Sequence, residues 1–377
     1  MAPGPTPVPE ETLLELAQPI FYHRSGRFRE LLARVTADLQ YVFQTTAPVL
    51  TLTASGTGGM EAALANTVPA GGKVIGLIAG RWGERWRNIA RALGQTFISV
   101  EVPYGEPVPP AALQAALRQH PDTLAVCATL CETATGVKND VAAYGRIVAA
   151  TPALLLVDAI SALGAMECRT DEWSLDVVVA GSQKGLMLPP GLALLSVSAK
   201  AWQRIDTLPA APRFYLDLRK YRDSLQTNDS PFTPALGLIR GLARSLALLR
   251  AEGLERCWAR CARLARMARA GLSAMGLELF AQAPAEALTV ARVPEGIDGN
   301  ALINNLETWY GIKLASGQDS LKGKIVRLAH MGHIDAFDVL AGVSALELTL
   351  ARMGWSVAPG QAVAAAQSVL HHLPEEG

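Results

Sequence analysis

Two apolar segments flank a single cation in VVVAGSQKGLMLPPGLALLSVS, residues 177–198, where Lys184 sits in a short loop punctuated by Gly and Pro. Most lysines keep their charge in water. A lysine held in apolar surroundings loses part of that preference and becomes an amine nucleophile. Upstream, LLLVDAISALGA ends another apolar run in a carboxylate, Asp158. An aspartate at the C-terminal end of a parallel strand lies where open α/β sheets bind ligands, and a lysine on the neighbouring loop faces the same crevice. An amine beside a carboxylate that can keep a pyridine nitrogen protonated is the minimal equipment for pyridoxal phosphate chemistry. The pair taken by itself leaves a solvent-facing lysine near an unrelated carboxylate equally open.

A phosphate site is available in TASGTGGMEAALAN, where Ser55-Gly56-Thr57-Gly58-Gly59 leads into a run of strong helix formers. Backbone N–H groups and a threonine hydroxyl at a helix N-terminus suit a phosphate monoester. The stretch lacks both the Gly-Lys-Ser/Thr ending of a nucleotide-binding loop and the GxGxxG spacing of a dinucleotide fingerprint. In KIVRLAHMGH, Arg327 interrupts a strand-like apolar run. A charge is expensive there unless it meets an anion; the planar guanidinium matches a carboxylate bidentately, whether from a substrate or from a structural Asp or Glu.

The elements that must position these groups follow from periodicity. RFRELLARVTADLQYVF has helical spacing. GKVIGLIAG, TLAVCAT, ALLLVDA, DVVVAG and LALLSVS are near-continuous apolar runs closed by Gly, Asp or Pro, as expected of strands covered on both faces in a mostly parallel sheet. GERWRNIARALG and DVAAYGRIVAA fit crossover helices between them. Residues 235–275 form a long amphipathic stretch. ALTVARVP, a helix near 299–310, KIVRLAH and a last helix from about 335 then predict a smaller α+β domain.

At 377 residues and 40.0 kDa the chain can bury a large core, and half of it is hydrophobic. Thirty-four basic residues balance thirty-four acidic ones, which leaves no basic footprint for nucleic acid and favours a small-molecule substrate. MAPGPTPVPEET lacks the basic and apolar regions of a signal peptide. No uncharged apolar stretch is long enough to cross a bilayer, so no membrane partner is expected. Five cysteines (Cys127, Cys131, Cys168, Cys257, Cys261) contain no CxxC and fit reduced thiols in the cytoplasm, with no metal site. His330 and His333 are expected in a polar turn and His371-His372 in a solvated tail.

SGTGGMEAA, GRWGERW, CETATGV, VDAISALGA and GSQKGLMLPPG, in this order, resemble the class V branch of fold-type-I pyridoxal phosphate enzymes, and within it the alanine–glyoxylate and serine–pyruvate aminotransferases. PGPTPVP near the start, SPFTPA at 230–235 and GKIVRLAHMGH at 323–333 extend the likeness over nearly the whole chain. The resemblance implies an α/β fold with a mostly parallel sheet sandwiched by helices and a smaller α+β C-terminal domain. It also implies an N-terminal arm over 1–20, a large cofactor domain over 21–255 and a small domain over 256–377. By the same likeness Lys184 is the Schiff-base lysine and Asp158 the partner of the pyridine nitrogen. Thr57, Gly58, Gly59 and Gln183 hold the phosphate, Trp82 stacks on the ring and Thr133 lies near its phenolic oxygen. Arg327 grips the substrate carboxylate, and Thr233 reaches the phosphate of the other subunit of a homodimer with shared active sites.

The activity so implied is a two-stage exchange between alanine or serine and a 2-oxo acid, glyoxylate or pyruvate. Ureidoglycine–glyoxylate or phosphoserine-type transamination stays open beside it, since Cys131 before the Glu of CETATGV and Gly59-Met60 after the glycine turn depart from some relatives. A cysteine desulfurase needs a nucleophilic cysteine in the C-terminal third, and none follows Cys261. Some relatives are labelled soluble hydrogenase small subunits; iron–sulfur chemistry needs clustered thiolates, which these five cysteines do not supply. A non-catalytic relative on the same fold is the remaining alternative.

Overall fold

The computed structural model describes residues 1–208 and 213–371. Its first half alternates helices with strands. Helices α1 (Glu10–Leu16) and α2 (Gly26–Phe43) precede strand β1 (Leu50–Thr53); α3 (Gly56–Thr67) leads to β2 (Lys73–Ile78), α4 (Arg81–Ala92) to β3 (Thr96–Glu101) and α5 (Pro110–Gln119) to β4 (Ala125–Thr129). A two-residue-per-arm hairpin, β5 (Cys131–Glu132) and β6 (Val137–Lys138), comes next, followed by α6 (Val141–Ala149), β7 (Leu154–Asp158), β8 (Val177–Gly181) and β9 (Leu192–Val197).

Seven of these strands form one sheet in the order β1-β9-β8-β7-β4-β2-β3. β9 runs antiparallel to β8 and β1, and the other adjacent pairs are parallel. The α/β fold with a mostly parallel sheet is therefore as the sequence predicts. The central strands β4, β7, β8 and β9 are buried at every position, because helices cover both faces. Leu64 of α3 and Trp86 of α4 pack on one face with Val74, Val177 and Leu195. Phe28, Val35 and Phe43 of α2 and Tyr144 of α6 pack on the other, against Val126, Leu155 and Val178.

The second half adds α7 (Ala199–Thr207), α8 (Leu218–Leu225), α9 (Leu236–Glu252) and α10 (Leu254–Ala274). It continues through β10 (Leu288–Arg292), α11 (Gly299–Tyr310), β11 (Ala315–Ser316), β12 (Ile325–Ala329), α12 (Ala336–Arg352) and α13 (Gln361–His371). β10, β12 and β11 make an antiparallel three-stranded sheet whose own core joins Leu264 and Leu272 of α10 to Leu302, Leu328 and Leu346.

Three expectations are corrected. The amphipathic run over 235–275 is two helices, broken at Gly253 with φ 87°. The helix beginning near 335 ends at Arg352, and α13 is separate from it. His330 is fully buried, its Nε2 3.0 Å from Thr289 Oγ1, and burial pushes its pKa down to about 3; His333 is exposed, and His372 lies outside the described residues. The five cysteines are buried and free. No helix among the described residues is long and apolar enough to cross a membrane.

Gly253 is held at a positive φ that only glycine adopts cheaply, and an added Cβ would come no nearer than 3.5 Å to Arg256 Nε. Gly253→Ala should thus lose about 1–3 kcal/mol through the backbone rather than through a clash, read as a lower urea midpoint at unchanged m value.

Candidate active site

The C-terminal ends of the parallel strands carry the chemistry. Asp158 is the last residue of β7, pairs in register with Thr129 at the end of β4, and is 4% exposed. Burial pushes its pKa up to about 6, against the Ile160 N–H that donates to its Oδ1 at 2.8 Å and the nearby charges of Lys184 and Arg85. Lys184 follows β8 by three residues. Burial pulls its pKa down to about 8, while Cys131 and Asp158 oppose that shift. Both groups are displaced towards their neutral forms by the same loss of water.

They face one cavity of about 450 Å³. Thr57, Trp82, Thr133, Asp158, Gln183, Lys184 and Arg327 all line it, although they come from six separate stretches of chain. Gly58 and Gly59 stand beside it in the first turn of α3, which is capped by Ser55 Oγ accepting from Gly58 N at 3.4 Å. A Cβ on Gly59 would sit 2.7 Å from Val179 Cγ1, so the bare backbone is what lets the helix start lie against β8. Thr233 is not brought to this cavity within the chain. It is exposed on the loop before α9.

Arg327, at the middle of β12, is 6% exposed. Its Nε donates to Ser316 O and its Nη1 to Thr133 O, each at 2.9 Å. Both partners are backbone carbonyls, so the structural ion pair left open by the sequence is not formed among the described residues. Burial lowers its pKa to about 10, which Glu132 opposes and Arg81 reinforces. A buried guanidinium with only neutral partners is a receptor for an anion.

Several contributors escape a reading of motifs. Arg85 donates to Thr57 Oγ1 at 2.7 Å and lies 4.4 Å from the centroid of the Trp82 ring. Glu132 is fully buried and serves as a remote cap for α4, whose own N-cap, Gly80, has no side chain to offer. Its Oε2 accepts from Trp82 N at 2.9 Å and Gly83 N at 3.2 Å, and its Oε1 from Ala134 N at 3.1 Å. Burial nonetheless raises its pKa to about 8. Residues 2–5 form a further wall: Pro3 O accepts from Lys184 Nζ, and Thr6 bonds to Gln183 O at 3.1 Å and Lys184 O at 2.9 Å. Cys131 also lines the cavity, its thiol pushed up by burial. Charged residues inside the quoted segments, Glu132 in CETATGV and Arg85 in GRWGERW, are the signal the sequence offers for them.

The residues suit an aromatic phosphate ester. The cavity offers a cation and hydroxyl at a helix start, an indole face, a carboxyl at one depth and an amine at another. Two buried polar atoms, Trp82 Nε1 and Gln183 Oε1, have no hydrogen-bond partner, which is a cost the protein carries unless something binds there.

Residues 16–334 match the family model described as aminotransferase class-V. The chain is 44% identical to a protein named soluble hydrogenase, small subunit, from Synechococcus sp. (strain PCC 6716), over 98% of this chain and 97% of that one. It is 38% identical to the L-aspartate–glyoxylate aminotransferase of Paracoccus denitrificans, covering 97% and 94%. With the serine–glyoxylate aminotransferase of Methylorubrum extorquens it shares 35% identity, covering 99% and 96%. Among solved structures it is similar to pyridoxamine-pyruvate aminotransferase from Mesorhizobium loti, with a TM-score of 0.94 at 30% identity over 98% and 96% of the two chains.

The geometry can be probed by titration and by stability. The free-amine fraction of Lys184 should rise as pH climbs through about 8 and fall about tenfold per unit below it; pH-dependent acylation mapped by peptide mass spectrometry reads this, and a midpoint at the ordinary 10.5 contradicts it. Folded Glu132 holds its proton to about pH 8 against an ordinary 4.5, so its contribution to stability falls as pH rises across that window. Glu132→Gln should flatten that part of the profile in chemical denaturation. Glu132→Ala, which strands three N–H groups, should cost about 2–4 kcal/mol.

Proposed function

The chain belongs to the class-V aminotransferases, and on that premise we propose that it exchanges an amino group between alanine or serine and glyoxylate or pyruvate, with pyridoxal 5′-phosphate bound at Lys184. The observation that carries this reading is a lysine amine with a lowered pKa and a buried carboxyl in one cavity, opposite a buried arginine without a carboxylate partner. Relatives named for serine–glyoxylate and pyruvate-dependent transamination support the substrates.

Bound pyridoxal phosphate supplies an aldehyde for amine exchange and a ring that takes up electron density from the substrate Cα. Lys184 would hold the group at the start and end of each half-reaction. Between those points its amine, neutral in an appreciable fraction near pH 8, would act as the acid–base group that accepts the substrate Cα proton and passes it on. Asp158 keeps a proton on the pyridine nitrogen; ion pairing with that pyridinium would offset the burial that raises its pKa. Thr57, Gly58, Gly59 and Gln183 would hold the phosphate, Trp82 would cover the ring and Thr133 would stand by its phenolic oxygen. Arg327 orients the substrate by its carboxylate.

Thr233 belongs to this reading only through a second copy of the chain, whose phosphate it would reach; a homodimer in the cytoplasm is therefore part of the proposal. So is the division into an arm over 1–20, a large domain over 21–255 and a small one over 256–377.

After incubation with pyridoxal phosphate the protein should absorb in the near-visible. The band should fade on adding L-alanine or L-serine and return with glyoxylate, and Lys184→Ala should show no such band. A colourless protein after that incubation would overturn the cofactor and the activity together.

A further inference from the structure

Opposite charges meet beside this cavity, each one residue from its lining. Arg81 opens α4 immediately before Trp82, and Asp319 follows Gln318; Trp82 and Gln318 both line the cavity. Arg81 Nη1 donates to Asp319 Oδ2 at 2.9 Å, which ties the start of α4 to the segment between β11 and β12. β11, which leads into that segment, holds Arg327, since Ser316 O accepts from Arg327 and Ala315 pairs with it in register. Asp319 keeps its place with φ at 50°, a left-handed conformation that few non-glycine residues adopt.

An amino acid seated with its α-carboxylate on Arg327 and a second carboxylate on its side chain needs a second cation. Lys184 is engaged at the reacting atoms. Arg85 is engaged by Thr57 Oγ1 and the Trp82 face. Arg81 remains, close enough to Arg327 for its charge to lower that residue's pKa, and its Nη1 already faces a carboxylate. We propose that Asp319 is a specificity-determining residue, a carboxylate of the chain itself that occupies Arg81 and so disfavours dicarboxylic amino donors relative to small ones. This rests on the function proposed above. The pair is partly solvated, with side-chain exposures of 34% and 62%, so it contributes little to folding and acts through the charge a substrate meets: removing Asp319 deletes a repelling anion and frees a bidentate donor.

The test compares the cofactor-loaded enzyme with Asp319→Ala, Asp319→Asn and the double variant Arg81→Gln/Asp319→Ala. The ratio of kcat/KM for L-aspartate to that for L-alanine, with glyoxylate as acceptor, should rise about tenfold in either Asp319 variant and return to the starting ratio in the double variant. Calorimetric titration with maleate against acetate gives a second reading without turnover, and maleate should bind about tenfold more tightly once Asp319 is removed. An unchanged ratio and unchanged maleate affinity overturn the proposal, as does a rise that survives loss of Arg81. If neither amino acid reacts but maleate affinity rises as stated, the failure lies with the transamination reading and the role of Asp319 stands.

Discussion

Removal of water from one lysine and one aspartate is the constraint on which the rest of the site depends. The same burial drives Lys184 down to about 8 and Asp158 up to about 6, so both arrive near neutrality within about two units of each other. Keeping water out takes walls from distant parts of the chain. The first turn of α3 lies against β8 at Gly59, Trp82 in the first turn of α4 lines the cavity, and residues 2–5 lie over the lysine. None of these walls is rich in charge pairs. They are formed by close backbone approach, which is why glycine recurs at their contacts.

Glu132 and Arg327 show how the interior holds ionisable groups. Each is almost fully buried, and neither forms a direct ion pair with the other among the described residues. Glu132 spends its oxygens on N–H groups of Trp82, Gly83 and Ala134, and Arg327 spends two nitrogens on carbonyls of Thr133 and Ser316. Backbone groups fix both side chains; burial keeps Glu132 protonated to about pH 8, while Arg327 keeps a charge with no close carboxylate partner among the described residues. An arginine so held keeps its capacity for an incoming carboxylate, and Trp82, whose backbone N–H is held by a buried carboxyl, is tied at the start of α4 to the core.

Much of this is legible in the sequence, for physical reasons that differ by element. β4, β7, β8 and β9 are buried on both faces, so their apolar runs are continuous and mark themselves. β3 does not, because TFISVE mixes exposed and partly covered positions at the edge of the sheet, and β1, at the opposite edge, is only half buried. The break at Gly253 is hidden by an amphipathic pattern that continues across it. His330 reads as part of a polar turn because its actual partner, Thr289, comes from β10, which periodicity cannot place beside it. Seven of the expected site residues converge because each belongs to a motif whose type and order carry meaning. Glu132 and Arg85 lie in the same motifs, but their roles are harder to read, since they act on backbone N–H groups and on a hydroxyl, contacts that no spacing in the sequence marks.

The wall formed by residues 2–5 has a consequence for biosynthesis. Met1 O accepts from Ala329 N and Thr6 bonds to Gln183 and Lys184, so residues 1–6 find their seats on segments translated much later. Domains tend to fold as they emerge, but this cavity stays open on one side until β12 has been made. A nascent chain stalled before that strand would carry its lysine exposed to water, with an ordinary amine in place of a tuned one. Tuning of the lysine thus waits on β12, far along the chain from the loop that carries it.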